Sequence, residues 1–158
     1  VSTDLLKKVY LFDGLSMGEL VELLKICKQE KYPKDKIIFL EGDTGDRCYI
    51  IEEGEVRISK FVPNMGEEAL AVLKAGNYFG EMSLIDGATR SATAIVNAAT
   101  TCLVIGKSDL DRLMTDNKDL GNKILWTFCR TLSSRLRETN EKISSFIAMT
   151  AGFGGPVT

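Results

Sequence analysis

Cys48-Tyr49-Ile50-Ile51-Glu52-Glu53-Gly54-Glu55-Val56-Arg57-Ile58-Ser59-Lys60-Phe61 sets Tyr, Ile, Val and Phe, residues that favour extended backbone, among charged ones. Val56-Arg57-Ile58-Ser59 alternates apolar with polar, as a half-buried strand does. Gly54 splits the stretch into strand candidates at 48–53 and 55–61. Working outward, further candidates lie at 36–40, 69–73, 92–96 and 101–105. Glycines at 42, 45, 54, 66 and 76 stand between them, where turns need backbone that a side chain resists. Many short strands with frequent turn signals predict a sandwich or jelly roll over residues 36–106. Neither a Gly-x-Gly-x-x-Gly run nor a Walker lysine loop occurs, so doubly wound nucleotide folds find no support.

Helical patterns flank this zone. Up to about Lys31, Leu20, Leu23, Leu24 and Cys27 recur at helical spacing, and Ser16 with Glu19 forms a capping box. Pro33 closes that zone. After the strands, Ser108 with Asp111 predicts another helix cap, and a longer helix starts near Asn117. On it Leu125, Cys129, Leu132, Leu136, Thr139, Ile143 and Phe146 follow one another at alternating steps of four and three. That heptad seam predicts a homodimer through the helix at 118–147; the alternative is a stripe packed on the chain's own sheet. Ile124 and Phe128 lie off the seam and suit the sheet. Residues 148–158 turn to Ala, Gly, Pro and Thr and read as a flexible tail.

Composition narrows the function. The chain has 158 residues, 44% of them hydrophobic, enough for one domain with a real core. Lys and Arg total 20 against 22 acids, a net charge of −2, so direct nucleic-acid contact is not expected. There is no histidine, which removes Ser-His-Asp and Cys-His catalysis and every His-ligated metal site. Jelly-roll enzymes of the cupin kind fall with it, so no catalytic residue, metal or cofactor is expected. The four cysteines, Cys27, Cys48, Cys102 and Cys129, form no Cys-x-x-Cys pair and read as reduced buried thiols. Apolar runs such as 37–40 are far short of a membrane span, and no signal-like segment opens the chain. A soluble cytoplasmic protein is expected.

Chemistry concentrates in Phe79-Gly80-Glu81-Met82-Ser83-Leu84-Ile85-Asp86-Gly87-Ala88-Thr89-Arg90-Ser91-Ala92. Gly80 lets a ligand approach the backbone. Residues 81–85 suit one helical turn with free N–H groups aimed at an anion. Glu81 is an acceptor suited to a sugar diol, and Arg90 a planar donor fork matched to phosphate. Taken singly, Glu81 and Arg90 read as a loop ion pair. Together, in a jelly-roll setting, they describe a phosphoribose pocket.

This stretch resembles the phosphate-binding cassette of the cyclic nucleotide-binding domain family, which reads F-G-E, a small helical turn, then R-[SAT]-A. The resemblance extends upstream through Glu41-Gly42-Asp43, Gly45-Asp46, Cys48-Tyr49-Ile50-Ile51 and Gly54-x-Val56, then Leu73-x-x-Gly76. It covers roughly residues 8–147. It implies an eight-stranded β-roll, a double-stranded β-helix of jelly-roll type, mainly β, with N-terminal helices (1–31) and C-terminal helices (107–147). It also implies that Arg90 binds the cyclic phosphate and Glu81 accepts the ribose 2′-hydroxyl. Gly80, Met82 and Ser83 would offer backbone groups, and Leu73 would line the pocket beneath the base, with Phe79 and Ala92 framing the cassette. Met82 and Thr89 replace the more usual leucine and proline.

The base is read less directly. Ser91 carries a hydroxyl of the kind that can contact a syn guanine, favouring cGMP. The family's bacterial catabolite-activator branch nevertheless carries Ser there and prefers cAMP. Arg135-Leu136-Arg137-Glu138-Thr139-Asn140-Glu141-Lys142 resembles that branch's R-L-x-x-T-S-E-K pattern. The resemblance implies that Thr139 meets the adenine amino group and Asn140 reaches across from a partner subunit. Alternatively, Thr139 bonds back to its own helix. The expectation is a cAMP-binding sensor domain that couples ligand to its C-terminal helix and through it to a downstream effector. The alternatives are a cGMP-preferring sensor and the ligand-binding fragment of a DNA-binding transcription regulator.

Overall fold

The computed structural model describes residues 3–151. Helix α1 (Thr3–Lys8), a 3-10 turn (Tyr10–Phe12) and helix α2 (Met17–Ile26) open the chain. Strands β1 (Lys28–Tyr32), β2 (Ile37–Phe39), β3 (Arg47–Val62), β4 (Gly66–Lys74) and β5 (Tyr78–Phe79) follow. Helix α3 (Met82–Asp86), strand β6 (Thr93–Gly106), and helices α4 (Lys107–Asp116) and α5 (Lys118–Ala151) complete it.

The two long strands explain the architecture. β3 and β6 pair antiparallel along their lengths, Tyr49 opposite Val104 at one end and Ile58 opposite Ala94 at the other. Their outer neighbours change halfway. Near Tyr49 the flanking strands are β1 and β5; near Ile58 they are β2 and β4. The six strands therefore act as two four-stranded sheets sharing a bent spine, the expected jelly-roll-like β-roll.

Gly54 marks the bend rather than a turn. It holds φ at 102°, and a Cβ there would lie 2.4 Å from the Thr100 hydroxyl and 2.5 Å from the Ala99 carbonyl. Thr100, 2% exposed, accepts from the Glu55 amide at 3.1 Å and donates to the Ala98 carbonyl at 2.6 Å. Here β6 carries one residue more than β3, and the register shifts. Candidates 48–53 and 55–61 are thus one strand, as are 92–96 and 101–105.

Period-two alternation divides the core. Cys48, Ile50, Leu103 and Ile105 face outward to a cluster with Leu6, Leu23, Leu110, Leu120, Ile124 and Phe128 of the helices. Tyr49, Ile51, Cys102 and Val104, one residue out of phase, fill the roll interior with Val56, Phe79 and Ala94. Ile124 and Phe128 therefore join the core between the sheet and the helices. The seam itself does not. Leu125, Leu136, Ile143 and Phe146 are each more than half exposed, so the stripe is not packed on the chain's own sheet.

Other differences have local causes. Residues 28–32, placed by sequence in the helical zone, form β1 against β6, because α2 ends at Ile26 and the polar segment Lys28-Gln29-Glu30-Lys31 suits an exposed edge. The capping box at Ser16 and Glu19 is formed, and Lys123 of α5 also bonds Glu19 at 2.8 Å. These bonds, that from Lys123 foremost, hold the Glu19 carboxyl below its usual range. At α4 the N-cap is Gly106, not Ser108, because β6 runs straight into the helix. Helix α5 continues to Ala151, past the boundary expected for the tail; residues 152–158 lie outside the described part. Cys48 and Cys102 are buried and Cys27 partly so, with burial pushing Cys27 and Cys102 up to about 12. Cys129, expected inside, is exposed on the seam. Among the described residues, no helix is long and apolar enough to cross a membrane.

Candidate functional site

β5 delivers the chain into the roll's mouth, α3 turns beneath it, and Arg90 returns ahead of β6. Between them lies a cavity of about 270 Å³. Leu73, Phe79, Gly80, Glu81, Met82, Ser83, Arg90, Ser91 and Ala92, all singled out by sequence, line it. Thr139 and Asn140 do not. Both are exposed on α5, and the Thr139 hydroxyl donates to the Arg135 carbonyl at 2.8 Å, the back-bonded alternative.

Arg90 is 6% exposed. Its Nη1 donates to the Gly80 carbonyl at 3.1 Å and to Ser83 Oγ at 3.2 Å, and its Nη2 to the Arg47 carbonyl at 2.9 Å. Backbone bonds clamp it as well: Arg90 N–H to the Asp43 carbonyl at 2.7 Å, and Gly42 N–H to the Arg90 carbonyl at 2.9 Å. The guanidinium lies 4.1 Å from the centre of the Phe39 ring. Among the described residues no carboxylate pairs with it, and its Nε has no hydrogen-bond partner. A buried cation whose hydrogen-bond acceptors are all neutral is a costly arrangement that an anion would relieve.

Glu81 has a different partner. Rather than Arg90, it bonds Arg135 of α5, a residue 54 positions away. Burial works against the Arg135 charge, but the adjoining Glu81 carboxylate outweighs it and raises the Arg135 pKa. Lys107 Nζ donates to the Leu84 carbonyl at 2.9 Å, tying α4 to α3. The cavity floor is thereby wired to the C-terminal helices.

Gly80 and Gly45 make room for the arginine. Gly80 has φ +76°, and a Cβ there would sit 2.6 Å from Arg90 Nη1 and 3.0 Å from the Arg47 carbonyl. At Gly45 a Cβ would meet Ser83 Oγ at 2.1 Å and Arg90 Nε at 2.9 Å. Gly80→Ala is expected to lower stability by about 1–2 kcal/mol, the cost of left-handed backbone bearing a side chain. An unchanged urea midpoint would contradict this strain. The residues that sequence reasoning missed are Phe39, Gly45 and Arg135. In sequence Gly45 reads as a turn and as part of the upstream motif without a role at the site, Arg135 as part of a helix pattern, and Phe39 carries no motif signal.

A β-roll enclosing a buried arginine without an ion-pair partner, in a cavity that Glu81 also lines, is the kind of site that suits an anionic ligand. The cyclic nucleotide-binding domain family matches residues 29–117. The chain is 27% identical over 144 residues to the CRP-like cAMP-activated global transcriptional regulator of Mycobacterium tuberculosis, covering 91% of this chain and 62% of that protein. It is 36% identical over 119 residues to the cAMP-dependent protein kinase regulatory subunit of Debaryomyces hansenii, 74% of this chain and 25% of that one. The N-terminal domain of a transcriptional regulator from Streptomyces coelicolor A3(2) superposes with a TM-score of 0.78 at 30% identity, over 87% of this chain and 96% of the other. The chain belongs to the cyclic nucleotide-binding domain family and is a cyclic nucleotide-binding regulatory domain. It spans less than two thirds of the curated relatives named here.

Proposed function

We propose that this domain is a cAMP sensor. The observation that carries it is the buried Arg90 guanidinium, with an unpartnered Nε and no carboxylate among the described residues to balance it. In this reading Arg90 takes the cyclic phosphate, Glu81 accepts the ribose 2′-hydroxyl, and the first-turn amides of α3 at Met82 and Ser83 face the anion. Phe79 and Ala92 brace the cassette. Leu73 and Ile58 offer the base an apolar wall.

Glu81 couples the site to α5. A ribose hydroxyl on Glu81 competes with or joins Arg135, so ligand changes how that helix is held. Thr139 lies one turn beyond Arg135, and closure of α5 would bring its hydroxyl from its own backbone toward the adenine amino group. Asn140 would reach across from a second copy paired through the α5 seam. Support for cAMP comes from that threonine and from relatives named as cAMP-activated or cAMP-dependent. A cGMP preference has one observation in its favour: Ser91 lines the cavity and Thr139 does not. A larger protein with a DNA-binding output beyond α5 is the alternative to a stand-alone sensor, and the native mass from source cells separates them.

In this reading the cavity binds its ligand without transforming it. Competitive isothermal titration of cAMP and cGMP is the test. Saturable cAMP binding at micromolar concentration or tighter, about −8 kcal/mol, is expected. Tighter cGMP binding would transfer specificity to Ser91, and saturation by neither would reject the reading.

A further inference from the structure

Phe39 stands on the short strand β2, outside the cassette, yet its ring touches the group at the centre of the site. The Arg90 Cζ lies 4.1 Å from its centroid, close enough for a face-on cation–π contact. The ring is fixed from below. Its centroid is 5.8 Å from Tyr49 at a tilt of 41° and 5.9 Å from Phe79 at 44°, while Tyr49 and Phe79 stack at 5.0 Å. Tyr32 abuts Tyr49 edge-on at 6.4 Å. An aromatic base therefore carries the guanidinium plane.

We propose that Phe39 is a positioning residue for ligand phosphate: its π-face holds Arg90 in the cavity in place of the carboxylate the arginine lacks. The proposal rests on the phosphate-binding reading of Arg90 given above. The hydrogen bonds at Gly80, Ser83 and Arg47 use neutral acceptors, which orient the fork but do not balance its charge. The negative face of a ring does so partly, without taking up a hydrogen-bonding position of the fork. An aliphatic side chain of like volume would fill the space without that field. The arginine would then gain by turning toward water at the mouth, and binding would have to recover it.

Two sets of variants test this. Phe39→Leu is expected to raise the Kd for cAMP about tenfold, the size of a desolvated cation–π contact. Mono-, di- and trifluorinated phenylalanine at position 39 keep the shape while draining the ring face. Across that series the Kd should climb and the thermal midpoint of the protein without ligand should fall, step by step. In an Arg90→Leu background the midpoint should no longer follow fluorination. Equal Kd and equal midpoints across the series would overturn the proposal and leave the ring as packing. Stepped midpoints with no titratable cAMP binding would uphold the Phe39–Arg90 contact and overturn the cAMP reading instead.

Discussion

Arg90→Leu is expected to weaken cAMP binding by about 3–5 kcal/mol, a hundredfold or more, because it strands a buried phosphate without its cation. The size follows from the charges around the cavity. Glu81, Asp86, Arg90 and Arg135 are its ionisable lining, and Arg135 is engaged by Glu81. Arg90 is the cation with no carboxylate partner among the described residues, so no neighbour replaces it. The fold should survive the change. A buried charge balanced only by carbonyls, a hydroxyl and a ring face contributes little net stability, and its removal costs mainly the bonds to Gly80, Ser83 and Arg47. Cooperative unfolding should therefore persist while binding is lost. Arg90→Lys should fall between, keeping charge but losing the planar fork. Isothermal titration with the purified chain reads all of this. A leucine variant binding within threefold of the parent would reject the pocket.

The parts of this argument legible in sequence are those encoded by neighbours. The strands at 48–61 announce themselves because alternate residues serve two different cores, and the Ser16–Glu19 cap because it closes over three residues. The cassette was legible because its glycine, carboxylate and arginine fall within one short loop. In sequence Gly54 reads as a turn because a glycine that ends a strand and one that bends it look alike; only Thr100, forty-odd residues on, tells them apart. β1 was hidden because a charged edge strand lacks apolar alternation. The links from Glu81 to Arg135 and from Arg90 to Phe39 join residues distant in the chain. Neither has a local pattern, and both arise from how the roll closes.

That closure also decides what α5 has to spare. The same helix buries Leu120, Ile124 and Phe128 on its own domain, each 5% exposed or less. Its other stripe remains open: Leu125 is 52% exposed, Leu132 38%, Leu136 62% and Phe146 66%. So much apolar surface in heptad register fits a second copy of the helix. Leu132→Lys is the sharpest probe, for this position sits mid-seam. In a symmetric pair the change strikes twice; Leu132 has 38% of its surface left to bury, about that share of the ~1.5–3 kcal/mol of a fully exposed leucine, so dimerisation should weaken by about 1–2 kcal/mol. Two lysines brought together would add to that. Sedimentation should show the parent as a dimer and the variant as a monomer, with the variant's domain folded, since Leu132 makes no part of either core cluster. Because Asn140 is proposed to act from the partner, the variant should also bind cAMP more weakly than its intact Arg90 alone would suggest. A parent chain that stays monomeric at high concentration would remove the dimer and leave the seam without an occupant.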